Sequence, residues 1–204
     1  MSDRKKALAH FRRVDPKLYK AALPFRNKLP PRLAEIKNHD RLFNALARSV
    51  ISQQLGGPAA STIAGRVTEA CGGKITSQNI RRVSPARLRD AGLSGAKTKT
   101  LKTLAKVVNK KQLNLLELRK LEREEAEKRL TAVWGVGPWT AEMFLMFALG
   151  HPDIFSAGDL GLIRSMESLY NVKKLSPERA ALIAKRWSPH RTYACLALWS
   201  IRDV

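Results

Sequence analysis

Residues 130–149 read LTAVWGVGPWTAEMFLMFAL, and the fold turns on the middle of that stretch. A helix runs up to Val133, Gly135-Val136-Gly137 makes a tight turn, and Pro138 opens the next helix at its first position. Proline suits that position because its fixed φ is already helical and its absent N–H would have had no partner. The glycines allow backbone conformations closed to other residues and let a ligand come close to the N–H groups. The start of the second helix adds a partial positive charge and amides without intrahelical acceptors. The turn therefore suits an anion such as a DNA backbone phosphate, held without reference to base sequence. The carbonyls left at the end of the first helix, those of Thr131, Val133 and Val136, are candidates to hold a structural monovalent cation bridging to that phosphate. No other cofactor is expected. The same residues read equally well as a plain corner between two helices with a glycine C-cap.

Outward from this hairpin, nearly every segment carries helical spacing. In LFNALARSVISQQL (42–55), Leu42, Phe43, Leu46, Val50 and Leu55 keep roughly one face apolar. Ser84-Pro85, Ser176-Pro177 and Ser188-Pro189 each read as a helix start, serine at the cap and proline inside it. Gly72-Gly73 closes the helix that Pro58 begins, and LSGAK (93–97) is a second glycine-punctuated joint. The acidic residues concentrate in LRKLEREEAEKRL (118–130), which reads as a solvent-facing helix with i,i+4 ion pairs. No run alternates β-branched and polar residues as a strand would. The expectation is an all-α chain of about ten short helices.

Charge sets the partners. The 204 residues hold 38 Lys+Arg against 17 Asp+Glu, a formal charge of +21, which attracts polyanions. Lys97, Lys99, Lys102, Lys106, Lys110 and Lys111 favour one side of a helix and suggest a basic stripe, although any one such helix reads as well as an ordinary solvated face. The two cysteines, Cys71 and Cys195, exclude a disulfide scaffold and fall short of the four thiolates an iron–sulfur cluster needs. The N-terminal MSDRKKALAHFRR lacks the apolar core of a leader, and the longest apolar run, Met143–Leu149, is too short to span a bilayer. The chain reads as soluble, intracellular, DNA-associated and monomeric, without a membrane partner.

GVGPWTAEMFLMFALG (135–150), followed by an isolated aspartate in SAGDLGLIR (156–164), resembles the helix–hairpin–helix DNA glycosylases with a Gly/Pro-rich loop and a catalytic aspartate. With ARSVISQQLGGPAA (47–60), GLSGAKTKTLKTLA (92–105) and RWSPHRTYACLALW (186–199), the resemblance narrows to 3-methyladenine DNA glycosylase II and its compact yeast-type relatives, over about residues 40–202. It implies a helix–hairpin–helix DNA glycosylase fold. One helical lobe comprises residues 1–40 and 150–204, and the other residues 41–149 with the hairpin at its end. The active site lies in the cleft between them. The bacterial relatives' extra N-terminal β-rich lobe is expected to be absent, since about forty residues precede the first shared motif.

The resemblance also assigns roles. Asp159 takes the catalytic position, where a fixed carboxylate stabilises the oxocarbenium-like sugar and orients or deprotonates water; alone, it reads as an N-cap. Gly158 replaces a second acidic residue often found before it. Trp139 stands where strand-cutting relatives carry a nucleophilic lysine, which implies a monofunctional enzyme using water. Gln54 and Leu55 are candidates for the wedge that fills the gap left by a flipped base, although Leu55 could equally close the core of its helix. Trp139, Met143, Phe147 and His190 are the base-pocket candidates, and the i, i+4, i+8 stripe of the first three also fits core packing. The implied activity is excision of alkylated purines such as 3-methyladenine and 7-methylguanine from double-stranded DNA. The competing reading is a non-catalytic helix–hairpin–helix damage-sensing module, favoured by Gly56, Met143, Gly158 and His190 and opposed by Asp159 and Trp139.

Overall fold

The computed structural model describes residues 1–202, and every regular element among them is helical: twelve α-helices and three short 3-10 turns. The chain divides into two compact units, Met1–Ala34 with Gly150–Val204, and Glu35–Leu149. Residues 35–40 go with the second unit, where the Ile36 N–H donates to Ala148 O at 2.8 Å.

The first unit holds α1 (Asp3–Val14), α2 (Pro16–Ala22), α10 (Leu160–Tyr170), α11 (Pro177–Ala184) and α12 (Arg191–Arg202). Helix α12 packs on α2 and α10 around Phe11, Leu18, Trp187 and Tyr193, all fully buried. Asp15, only 3% exposed, is tied from several sides. Its Oδ1 caps α2 by accepting from the Leu18 N–H (3.1 Å), and its Oδ2 accepts from Tyr170 OH (2.5 Å) and Trp187 Nε1 (2.9 Å). A buried carboxylate is tolerated only when its lone pairs are met in this way. Burial, reinforced by this contact with Asp15, drives the Tyr170 phenol far above its ordinary pKa.

The second unit runs through α3 (His39–Ser52), α4 (Gly57–Ala70), α5 (Ser77–Arg82), α6 (Pro85–Asp90), α7 (Gly95–Asn109), α8 (Arg123–Thr131) and α9 (Pro138–Phe147). Leu42, Phe43, Leu46 and Val50 are fully buried on one face of α3, which packs on α4, α7 and α9. Each such side chain contributes roughly 1.5–3 kcal/mol through burial.

Local starts and stops follow the sequence in most places. Ser84 and Ser176 cap α6 and α11 with proline just inside, and Gly72 (φ +71°) and Gly73 (φ +89°) end α4. The third Ser-Pro pair does not start a helix. Ser188–Pro189 is a cis peptide, the Ser188 hydroxyl donates to Asp153 instead of capping, and α12 begins at Arg191. Leu55 lies beyond the end of α3 and is 37% exposed, because the backbone turns at Gln54 (φ +55°). The acidic stretch divides into a 3-10 turn (Glu117–Lys120) and α8, which stops at Thr131, ahead of Val133. The expected i,i+4 pairs form there as Arg129–Glu125 (2.9 Å) and Arg123–Glu127 (3.8 Å).

The stripe on α7 is not a uniform solvated face. Lys97 Nζ donates to Ile51 O (2.8 Å) and Gln53 O (2.6 Å), closing the end of α3. Lys102 Nζ donates to Ile80 O, Arg81 O and Val83 O, closing the end of α5. Burial pushes both ammonium groups below the ordinary lysine pKa. These two charges serve the fold, whereas Lys99, Lys106, Lys110 and Lys111 stay exposed.

Candidate functional site

In the second unit the hairpin turn joins α8 to α9. Gly135 has φ +81°, and a Cβ there would lie 2.0 Å from Thr100 Oγ1, so glycine is required both by conformation and by the close approach of α7. The Val136 N–H donates to Val133 O (3.0 Å), and Val136 is buried. Gly137 is different. It is the N-cap of α9 in extended backbone, and a Cβ there would meet nothing within 4 Å. No side chain caps α9, so the positive end of a ten-residue helix is presented past a residue with no side chain of its own.

Gln53, which the sequence reading passed over, ties the loop after α3 to this turn. Its Nε2 donates to Gly135 O (3.0 Å) and to Thr140 Oγ1 (2.8 Å), while its own carbonyl takes the Lys97 ammonium. Gln54 follows in the left-handed region, an uncommon conformation for a residue with a side chain and one that collects at functional loops. Leu55 and Trp139 then border the same hollow of about 350 Å³, with Arg48, Ser52, Ala60 and Ala64 on its other sides. The α9 stripe spreads across three environments. Trp139 borders the hollow, Met143 is 6% exposed in the interior, and Phe147 is 46% exposed.

Asp159 lies in the first unit. It is the N-cap of α10, with Oδ1 accepting from the Leu162 N–H (2.9 Å) and from Trp199 Nε1 (3.2 Å). The segment leading to it is clamped to the start of α12. Asp153 accepts from Arg191 Nε (2.8 Å) and Nη2 (3.0 Å) and from Ser188 Oγ (2.7 Å), and Thr192 Oγ1 donates to His151 O (2.7 Å). Burial works to raise the Asp153 carboxyl, but the Arg191 and Ser188 hydrogen bonds override it and hold the pKa below the usual carboxylate value. These ties hold the loop although Gly158 offers no side chain.

His190 sits elsewhere on this unit, with its ring 5.6 Å from that of His10 in a T-shaped contact. Burial first, and then His10, lowers its pKa, which keeps the imidazole neutral near pH 7. Trp199, nine positions further along, is at hydrogen-bond distance from Asp159. Its signal was present in RWSPHRTYACLALW, as a polar-tipped aromatic closing the quoted segment.

The proposed cation donors are backbone carbonyls alone, hard oxygen ligands of the kind that replace the hydration shell of a monovalent ion. Thr131 ends α8, where carbonyls run out of helical partners, and Val133 O already accepts one N–H. The donor set fits such an ion. Among the described residues, no cluster of His, Cys, Asp or Glu is suited to a metal.

Two helices joined by a glycine turn, with the second helix uncapped, make the hairpin a helix–hairpin–helix arrangement. Residues 47–190 match the family model of the HhH-GPD superfamily base excision DNA repair proteins, and the chain belongs to that superfamily. DNA-3-methyladenine glycosylase 1 of Schizosaccharomyces pombe is 32% identical over 161 residues, covering 77% of this chain and 71% of the relative. A DNA-3-methyladenine glycosylase of Bacillus subtilis is 30% identical over 172 residues, covering 78% of this chain and 57% of the relative. The chain thus spans little more than half the length of that protein. Among solved structures, S. pombe Mag1 in complex with abasic DNA matches with a TM-score of 0.84 at 27% identity, over 98% of this chain and 97% of that one. The DNA-3-methyladenine glycosidase of Bacillus halodurans matches with a TM-score of 0.75 at 33% identity, over 100% of this chain and 90% of that one.

Proposed function

We propose that the protein is a monofunctional DNA glycosylase that hydrolyses the N-glycosidic bond of alkylated purines in duplex DNA. The observation that carries this reading is Asp159, a carboxylate fixed by the Leu162 amide and the Trp199 indole on a clamped loop, in a chain of the HhH-GPD superfamily. In the reaction, the C1′–N bond breaks with its electron pair leaving on the purine. The Asp159 carboxylate stabilises the positive charge developing on the sugar. A water oxygen then bonds to C1′, and its proton passes to the carboxylate and on to solvent. Trp139 has no amine, so no Schiff base forms there and the strand stays uncut.

The remaining roles follow the same reading. The Gly135–Gly137 turn and the start of α9 hold a backbone phosphate, and the carbonyls of Thr131, Val133 and Val136 would hold a monovalent cation adding positive charge there; no other cofactor is required. Gln54 and Leu55 fill the stack when the base flips. Trp139 and Phe147 offer aromatic faces to a cationic base, a contact of roughly 0.5–2 kcal/mol each. Met143 and His190 complete the base-pocket candidates on this reading. The protein acts as a monomer inside the cell. The pocket candidates Trp139, Met143, Phe147 and His190 include no carboxylic acid, so on this reading the lesion supplies its own lability.

The deciding experiment measures free bases released from methylated DNA by wild type and by Asp159→Asn. Wild type is expected to release 3-methyladenine and 7-methylguanine, with little release of hypoxanthine from a deaminated substrate. Asp159→Asn should lose most of the activity while duplex affinity stays within a few-fold. Full activity in the variant would return Asp159 to the rank of a helix cap and favour a DNA-binding module.

A further inference from the structure

Trp134 precedes Gly135 directly and is 47% exposed, an uncommon position for an indole that the unit could have packed inward. Its ring face is not open. Lys99 Nζ stands 4.2 Å from the ring centroid, at cation–π distance. Both partners rest on fixed backbone. Ser94 caps the start of α7, and Thr100, the next residue after Lys99, fills the space beside Gly135 where a side chain would have stood. The ammonium is therefore set over the entrance of the hairpin by the same contact that shapes the turn. Lys97 and Lys102, its neighbours on α7, are turned inward onto carbonyls, whereas the Lys99 side chain is exposed.

We propose that Lys99, positioned by Trp134, is a second phosphate seat beside the hairpin, taking a phosphodiester of the nucleic-acid backbone next to the one held at the start of α9. An ammonium has three N–H donors, and those directed away from the ring remain for an anion. On the face that Lys99 covers, Trp134 holds the ammonium and not a stacked base. Trp134 to Gly137 is three residues of chain, about 10 Å at full extension, which keeps the two seats within reach of neighbouring phosphates on one strand. The inference rests on the proposed role of the hairpin as the DNA face.

The test is the salt dependence of binding to undamaged duplex DNA by fluorescence anisotropy. Lys99→Met should reduce the slope of log K against log salt by about 0.9, the loss of one phosphate contact, and weaken binding about two- to fivefold at 0.1 M salt. Trp134→Ala should weaken binding less than Lys99→Met. Lys110→Met is the control, because it removes the same charge eleven residues along α7, roughly 16 Å away and beyond the Debye length; it should leave the slope unchanged. A wild-type slope in Lys99→Met, an equal loss in Lys110→Met, or unchanged affinity in Trp134→Ala would overturn the proposal. Gly137→Val separates this failure from a failure of the hairpin reading. If it weakens binding while Lys99→Met does not, the hairpin stands and the second seat falls. If neither variant differs from wild type, both fall.

Discussion

Asp159 does two things with one oxygen: it caps α10 and it accepts from Trp199. A plain cap needs only the first contact. The indole holds the same oxygen from a second side, which makes Trp199 a positioning residue for the proposed chemistry. Trp199→Phe keeps the aromatic bulk and removes the N–H. Hydrogen bonds to charged groups contribute about 1.5–3 kcal/mol, so turnover is expected to fall about tenfold or more. The loss should lie in kcat, with KM and duplex affinity near wild type, since the indole N–H has no part in holding the backbone. Single-turnover kinetics on a methylpurine substrate check this. An unchanged kcat would leave Trp199 a packing residue.

Gln53 shows how one side chain can set the relation between two elements. It joins the loop after α3 to the Gly135 carbonyl and to the buried Thr140 hydroxyl, so the wedge candidates Gln54 and Leu55 stand at a fixed distance from the turn proposed to bind phosphate. Gln53→Leu should let that distance vary. Flipping costs a few kcal/mol in a paired duplex and least at a mispair. Excision from paired sites is therefore expected to drop about tenfold and to drop less at a mispaired lesion. Equal losses on both substrates would make Gln53 a structural tie only. The elements themselves were legible in sequence wherever a local rule governs: serine caps with proline behind them, the glycine stop of α4, and the tight turn at 135–137. The misreadings arise where tertiary contacts decide. Ser188 looked like a cap but bonds Asp153, and of the two readings open for Leu55 the core one falls, because α3 stops at Ser52 and the Lys97 ammonium takes the Ile51 and Gln53 carbonyls. Gln53 and Trp199 act through partners 82 and 40 positions away, and periodicity carries no signal at such range.

For the molecule as a whole, the charge of +21 dictates a binding mode without dictating which cations take part. Lysines that look alike in the α7 sequence divide into two populations once their partners are seen. Lys97 and Lys102 satisfy main-chain carbonyls, and removing one leaves acceptors unmet at a cost of about 1–3 kcal/mol. Lys99 is exposed beside the hairpin and open to phosphate, whereas Lys106, Lys110 and Lys111, further along, are exposed to solvent and counterions. Binding to any duplex should then weaken steeply with salt: for about five phosphate contacts the slope is near −4.5, a loss of roughly 500-fold between 0.05 and 0.2 M. Lys97→Met separates charge from fold. It lowers the net charge by one, as Lys99→Met does, yet its ammonium neutralises no phosphate. Its expected effect is a melting temperature lower by several degrees, given about 2–4 °C per kcal/mol for a chain of this size, with the salt slope unchanged. Thermal melts and anisotropy titrations on the same protein decide it. A reduced slope in Lys97→Met would mean that its ammonium leaves the α3 carbonyls for DNA, and that the charge of this face acts as a diffuse field with no assigned contacts.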